Sequence, residues 1–267
     1  MTGTPLAPAR RSPPARGPAG ETRQLLAPTD AVSFRPVPAP PVLAVRPPDY
    51  FPPAAHAALL AQADCVVLAD TFAFSRQSTH NRARILTSQG AQWITVPRGH
   101  APVGTPLGAV AVVADGWPRR HLRALRAAYG MAPFAEALLP EVEAILAGPH
   151  ASLGALAAAT TAWTIRRLGG TADVALASEM AGAPASLVDV WGAAGQPPLL
   201  SLTPDRDRIG LAGLGATVEA FAFAEPPRRQ VWPPAEDAAV LTAGLSALDV
   251  LLTYGAGARA ALLGPDG

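Results

Sequence analysis

The sequence predicts an α/β protein: a βαβ opening, a mixed or parallel sheet flanked by helices, and a helical C-terminal half. Three observations carry this. Residues 42–45 (VLAV) and 65–68 (CVVL) are short continuous apolar runs, the pattern of strands covered on both faces. An Ala- and Leu-rich helix over 54–63 lies between them, opened by Pro52 and Pro53. Longer helical segments then follow at 118–129, 134–146 and 152–168.

The elements follow in order. Residues 1–41 hold ten prolines and no apolar period. Proline lacks a donor and fixes φ, so this stretch reads as a disordered tail, mildly basic, with a polyproline ligand as its functional alternative. It has no apolar core of a secretory signal. Further strands are expected at 92–96 and 110–113. The helix at 118–129 stops at Gly130. The one at 134–146 stops at Gly148 and Pro149. The longest begins at the N-cap Ser152 and ends at Gly169 and Gly170. Residues 173–177 return to the sheet. Residues 181–235 are broken by Gly and Pro, and helices at 236–243 and 247–254 close the chain. With 267 residues, the expected organisation is the tail followed by one domain over 42–264.

Composition excludes several classes. The single Cys65 forbids an intramolecular disulfide and a cysteine metal cluster. No run of 18 apolar residues predicts a transmembrane helix, and the expected location is the cytoplasm. Formal net charge is +1, so no overall field demands nucleic acid or membrane. That balance hides an asymmetry. Residues 76–126 carry eight arginines (76, 82, 84, 98, 119, 120, 123, 126) against Asp115 alone, whereas residues 127–267 carry seven arginines and 14 acids. One reading has C-terminal acids folding back to pair with the arginines. The other is an anion site, because guanidinium forks match phosphate and carboxylate.

Spacing selects candidates. Arg119, Arg123 and Arg126 share one helix face, with Leu122, Leu125 and Tyr129 on another; a solvated row is the alternative. The segment 76–85 is dense in donors: Arg76, Gln77, Ser78, Asn81, Arg82 and Arg84. In a strand, Asn81, Ala83 and Ile85 face one side and Arg82 and Arg84 the other, where they can pinch a diphosphate or carboxylate. Asp70 closes the second strand at the end that faces the binding crevice in open α/β sheets, as the catalytic candidate: a base, or an aligner of an arginine. His80 is either a general base or a solvated loop residue. Tyr50, Trp93 and Trp117 offer flat surface to a base or sugar ring, or are core. Ser246 and Asp249 have the spacing of a helix-opening capping motif. Asp70 with Asp64 or Asp49 makes no recognised metal pattern, so no metal is expected, and no cofactor is indicated.

Tyr50-Phe51-Pro52, the strand into Asp70, Arg76-Gln77-Ser78 and Asn81-Arg82-x-Arg84-Ile85 together resemble the WbqC-like family. So do 93–97 (WITVP), Trp117, 129–134 (YGMAPF), Gln230, 245–252 (LSALDVLL) and Tyr254-Gly255. The likeness runs from about residue 43 to 263. It implies a bacterial protein of surface polysaccharide or O-antigen assembly that modifies or transfers a group, a transferase if it is an enzyme. The substrate-binding candidates are Tyr50, Arg76, Gln77, Asn81, Arg82, Arg84, Trp117 and Gln230, from the motifs of the resemblance, with Arg119 and Arg123 added from the spacing on their helix face. The partner implied is a small anionic metabolite: a sugar phosphate, nucleotide-sugar or acyl donor. The family's opening His-Gln is replaced here by Arg46-Pro47, and arginine accepts no proton at neutral pH. The alternative is therefore a non-catalytic anion-binding or adaptor protein on the same fold. Nucleic-acid binding through the arginine stretch is a third reading, without a known module to support it.

Overall fold

The computed structural model describes residues 41–203, 207–208, 210–226 and 244–264. The predicted tail up to residue 40, Gln230 and the predicted helix at 236–243 lie outside the described residues. The described chain is α/β. A parallel five-stranded sheet is built from β1 (Leu43–Arg46), β2 (Cys65–Leu68), β5 (Asp173–Leu176), β6 (Leu199–Ser201) and β7 (Val218–Ala220). The spatial order is β5-β2-β1-β6-β7. The chain therefore winds outward from β1 through β2 and β5, then crosses to the other side for β6 and β7.

The opening follows from the sequence. Helix α1 (Ala54–Gln62) returns the chain so that β1 and β2 align Leu43 with Cys65 and Arg46 with Leu68. Alternate residues of these strands enter different clusters, as the pleat requires. Ala44, Val66 and Leu68 pack with Leu59 and Leu60 of α1 and with Ile165 of α4 (Leu153–Arg167). Leu43 and Val67 pack on the other face with Val190 and Trp191 of α5 (Leu187–Ala193). With both faces covered, these strands can be apolar throughout.

Between β2 and β5 lies a long excursion. It starts with an antiparallel hairpin, β3 (Arg82–Thr87) and β4 (Gly90–Thr95), in which Arg84 pairs with Trp93. Gly90, at φ 96°, takes the left-handed conformation that the hairpin corner needs. Helices α2 (Trp117–Tyr129), α3 (Ala135–Ala147) and α4 follow. The Ser152 hydroxyl accepts from Ala155 N–H at 3.1 Å, the expected N-cap of α4. The chain closes with α6 (Leu248–Tyr254) and α7 (Ala258–Leu263). The main core joins these helices to the hairpin through Tyr50, Phe51, Ile85, Tyr129 and Leu251.

Two expectations are corrected. Residues 110–113 form no strand. Only an isolated bridge, Arg98 to Val112, forms there. Val110 is buried and its carbonyl accepts Leu153 N–H at the start of α4, whereas Ala111 and Val113 are exposed, so the run is a surface segment anchored at Val110. The last predicted helix opens at Leu248 rather than at 247. The Ser246 hydroxyl both donates to Phe51 O and accepts from Leu248 N–H, tying the helix start to the loop before α1. Among the described residues no helix is long and apolar enough to cross a membrane.

Candidate functional site

Sheet order locates a crevice before any side chain is considered. The connection after β1 runs to β2 and the connection after β6 runs the other way to β7, so the loops after β1 and β6 diverge and open a gap at their C-terminal ends. A cavity of about 660 Å³ lies there. The end of β1 contributes Val45, Arg46 and Pro47, and the end of β6 contributes Ser201, Leu202 and Thr203. The loop after β2 adds Phe72, Ser75, Ser78 and His80, and Asp207 lies on the β6 side. Leu59, Leu187 and Leu200 supply apolar wall. The lining thus combines a cation, hydroxyls, a carboxylate and apolar surface, the mixture of small-molecule sites.

A buried polar network stands behind Arg46. Asp49 is only 4% exposed. Thr161 fixes its backbone, its hydroxyl accepting Asp49 N–H at 3.1 Å and donating to Asp49 O at 2.9 Å. The Asp49 carboxylate accepts from Thr79 Oγ1 at 2.6 Å and from His56 Nδ1 at 2.7 Å. Arg46 Nη2 lies over the ring edge of His56, 3.0 Å from Nε2 and 3.3 Å from Nδ1. Burial pushes the Asp49 pKa up, but the His56 bond and charge, the Thr79 bond and the Arg46 charge outweigh it, so the net shift is downward and Asp49 stays ionised.

His80 is buried rather than solvated. Burial lowers its pKa, the charges of Arg46 and His56 add to that, and Asp49 opposes. It is therefore neutral at pH 7. Its Nδ1 accepts Ser75 N–H at 3.4 Å, and its ring lies 5.9 Å from that of Phe74.

The residues singled out from the sequence have separate positions. Asp70 is buried, and both of its carboxylate oxygens accept from Ser178, from the N–H at 3.0 Å and from the hydroxyl at 2.6 Å. Arg82 donates to the carbonyls of Ser78 and Gln77, both at 3.1 Å, and its guanidinium stacks 4.5 Å over Trp93. It thereby braces the loop that carries Ser75, Ser78 and His80. Arg76 and Gln77 are exposed on that loop. Asn81 is buried and donates to Val96 O at 3.0 Å, closing the hairpin base. Arg84 is half-buried, 3.9 Å from where a Cβ on Gly244 would stand. Arg119 and Arg123 lie on the exposed face of α2. Tyr50 and Trp117 are core, with ring centroids 6.1 Å apart, whereas Trp93 is 46% exposed. The C-terminal acids do fold back in part: Arg126 pairs with Glu143 at 2.9 Å, while Arg120 pairs with its neighbour Asp115 at 2.9 Å.

The crevice is thus lined by Arg46 rather than by Arg76, Arg82, Arg84, Arg119 or Arg123. In the sequence Arg46 stands out only as a departure from a family pattern, and His56 is hidden inside an alanine-rich helix. The signal available is the position of Arg46 itself, at the C-terminal end of the first strand.

These features define a doubly wound α/β protein with an arginine-bearing crevice at its switch point. The profile of the WbqC-like protein family matches residues 47–261, and the chain belongs to that family. A curated relative, "Uncharacterized protein Rv1507c" of Mycobacterium tuberculosis (strain ATCC 25618 / H37Rv), is 35% identical over 94 residues. That alignment covers 33% of this chain and 39% of the relative. No solved structure matches the chain.

Proposed function

We propose that the protein binds a small phosphorylated or carboxylated metabolite in the crevice between β1 and β6, as part of bacterial surface-glycan assembly. The observation that carries the reading is Arg46, a permanent cation at the switch point, backed by the half-buried His56 and the buried Asp49. The Ser75 and Thr203 hydroxyls suit a polyol or phosphate, the Ser78 and Ser201 hydroxyls donating instead to Ser75 O and the Asp207 carboxylate, and the volume of about 660 Å³ suits a sugar phosphate or nucleotide-sugar. The neutral imidazole of His80 suits proton transfer if a group is moved. The glycan role rests on the family resemblance, and Arg82 enters as a support of the loop beside the crevice.

Thermal melts of the protein with a hexose 1-phosphate, a nucleoside diphosphate sugar and an acyl-coenzyme A test this. The expected result is a rise in Tm with at least one of them. No shift with any of the three removes the reading.

A second reading, binding without turnover, is favoured by Arg46-Pro47 standing where the resembled pattern has His-Gln. Turnover only after the double change Arg46→His and Pro47→Gln supports it. Turnover by the unaltered protein ends it.

A further inference from the structure

The loop after β2 holds the His80 ring in one orientation beside the crevice. The His80 backbone N–H donates to Ser78 Oγ at 3.3 Å, and that hydroxyl donates to Ser75 O at 2.6 Å. Ser75 N–H returns to the ring, donating to Nδ1 at 3.4 Å, and the Phe74 ring lies 5.9 Å away between centroids. A backbone N–H only donates, so Nδ1 is the acceptor in that contact and carries no hydrogen. The ring is therefore the tautomer with its hydrogen on Nε2. Burial and the charges of Arg46 and His56 lower its pKa against the opposing charge of Asp49, in line with an uncharged ring at pH 7. Nε2 meets no hydrogen-bond partner among the described residues, and it is not sealed from solvent. His80 is otherwise enclosed, 6% exposed, and lines the crevice, so this N–H opens there.

Resting on the anion-binding reading, we propose that His80 is a ligand-contacting residue whose Nε2–H donates a hydrogen bond to a phosphate oxygen of the bound metabolite. Arg46 and His80 stand at the ends of neighbouring strands and line the same cavity. A phosphate has several acceptor oxygens, so it can take the charged fork of one and the N–H of the other. Asp207 lines the β6 side, where its carboxylate accepts the Ser201 hydroxyl, and its charge turns a phosphate toward the Arg46 and His80 side. In this tautomer Nε2 has no lone pair for a proton, which makes His80 a donor to the ligand rather than a general base. The ring needs no ordering by the ligand, because the loop already fixes it.

Two measurements test it. First, long-range proton–nitrogen NMR of the wild-type protein at pH 7.5 reads the ring with and without inorganic pyrophosphate. The expected signature is a hydrogen on Nε2 alone, with the Nε2 resonance moving as pyrophosphate binds. A hydrogen on Nδ1 overturns the proposal, as does binding that leaves the Nε2 resonance in place. Second, NMR titration with pyrophosphate compares wild type, His80→Asn and His80→Gln, with melts confirming that each is folded. An asparagine oxygen falls near the place of Nδ1 and keeps the bond from Ser75, whereas a glutamine amide reaches the place of Nε2 and keeps a donor there. The expected result is about fivefold weaker binding or more for His80→Asn, the scale of one net hydrogen bond, and recovery to within about twofold for His80→Gln. A purely structural ring gives the reverse order and overturns the contact. Binding by His80→Asn equal to wild type overturns the contact alone and leaves the anion site standing. Absence of pyrophosphate binding by wild type overturns the phosphate reading of the crevice and this contact with it.

Discussion

The Tyr50 hydroxyl and His121 Nδ1 meet at 2.9 Å inside the main core, between a loop and a helix 71 residues apart in the chain. His121 Nε2 donates to Thr95 O at 3.1 Å, so Nδ1 is the acceptor and Tyr50 the donor. Tyr50 is wholly enclosed, and burial holds its own pKa well above the ordinary value. The pair ties the start of the first crossover to α2 and β4. Tyr50→Phe leaves a buried nitrogen without its donor and is expected to cost about 1–3 kcal/mol, read by urea denaturation with an unchanged m-value.

The same pair makes stability depend on pH. Burial lowers the His121 pKa from 6.5 to about 4. The folded state thus disfavours the charged ring that the unfolded chain accepts. The contribution to stability is complete above about pH 6.5, declines as pH falls from there to about 4, and is lost below. Over that window this group alone removes on the order of 3 kcal/mol. Chemical denaturation at pH 7.5 and pH 5 measures it. In His121→Gln the decline is expected to flatten.

A close approach of two glycines sets the loop after β2. An added Cβ on Gly154, near the start of α4, would stand 2.8 Å from Gly108 Cα and 2.9 Å from Gly108 N. Gly108 N–H in turn donates to Asp70 O at 2.8 Å. Gly154→Ala must push α4 from this loop, at a cost of about 1–3 kcal/mol. Thermal melts read the loss, and a Tm equal to wild type contradicts the packing.

How far the fold is legible in the sequence is clear from particular elements. β1, α1 and β2 are readable because strands buried on both faces are continuous apolar runs and Pro52-Pro53 marks a helix start. β6 and β7 have three residues each, too few to show a period, and lie among glycines and prolines. The apolar run at 110–113 imitates a strand by composition alone: Val110 is its buried anchor, while Ala111 and Val113 are exposed. At the site, counting charge finds the arginine-rich stretch and so the loop that Arg82 braces. It cannot find Arg46, which meets His56, while His56 meets Asp49 and Thr161 of α4 fixes the Asp49 backbone from over 100 residues away. Nor can it separate Trp93, exposed under Arg82, from Trp117 in the core.

Arg82 therefore acts through the loop it holds. Arg82→Ala removes two bonds to the carbonyls of Gln77 and Ser78 and the stacking on Trp93. The expected loss is about 1 kcal/mol of stability, with a several-fold weaker response to anions and a change in Trp93 fluorescence. Unaltered fluorescence and anion response together would contradict that role.

Isothermal titration of a nucleoside diphosphate sugar and a hexose 1-phosphate into wild type and Arg46→Ala tests the crevice most directly. The account predicts saturable binding of at least one of them by wild type and about 10- to 100-fold weaker binding by a folded Arg46→Ala, the worth of a charge-assisted hydrogen bond. Equal affinity of the two proteins, or no binding by wild type, would contradict it.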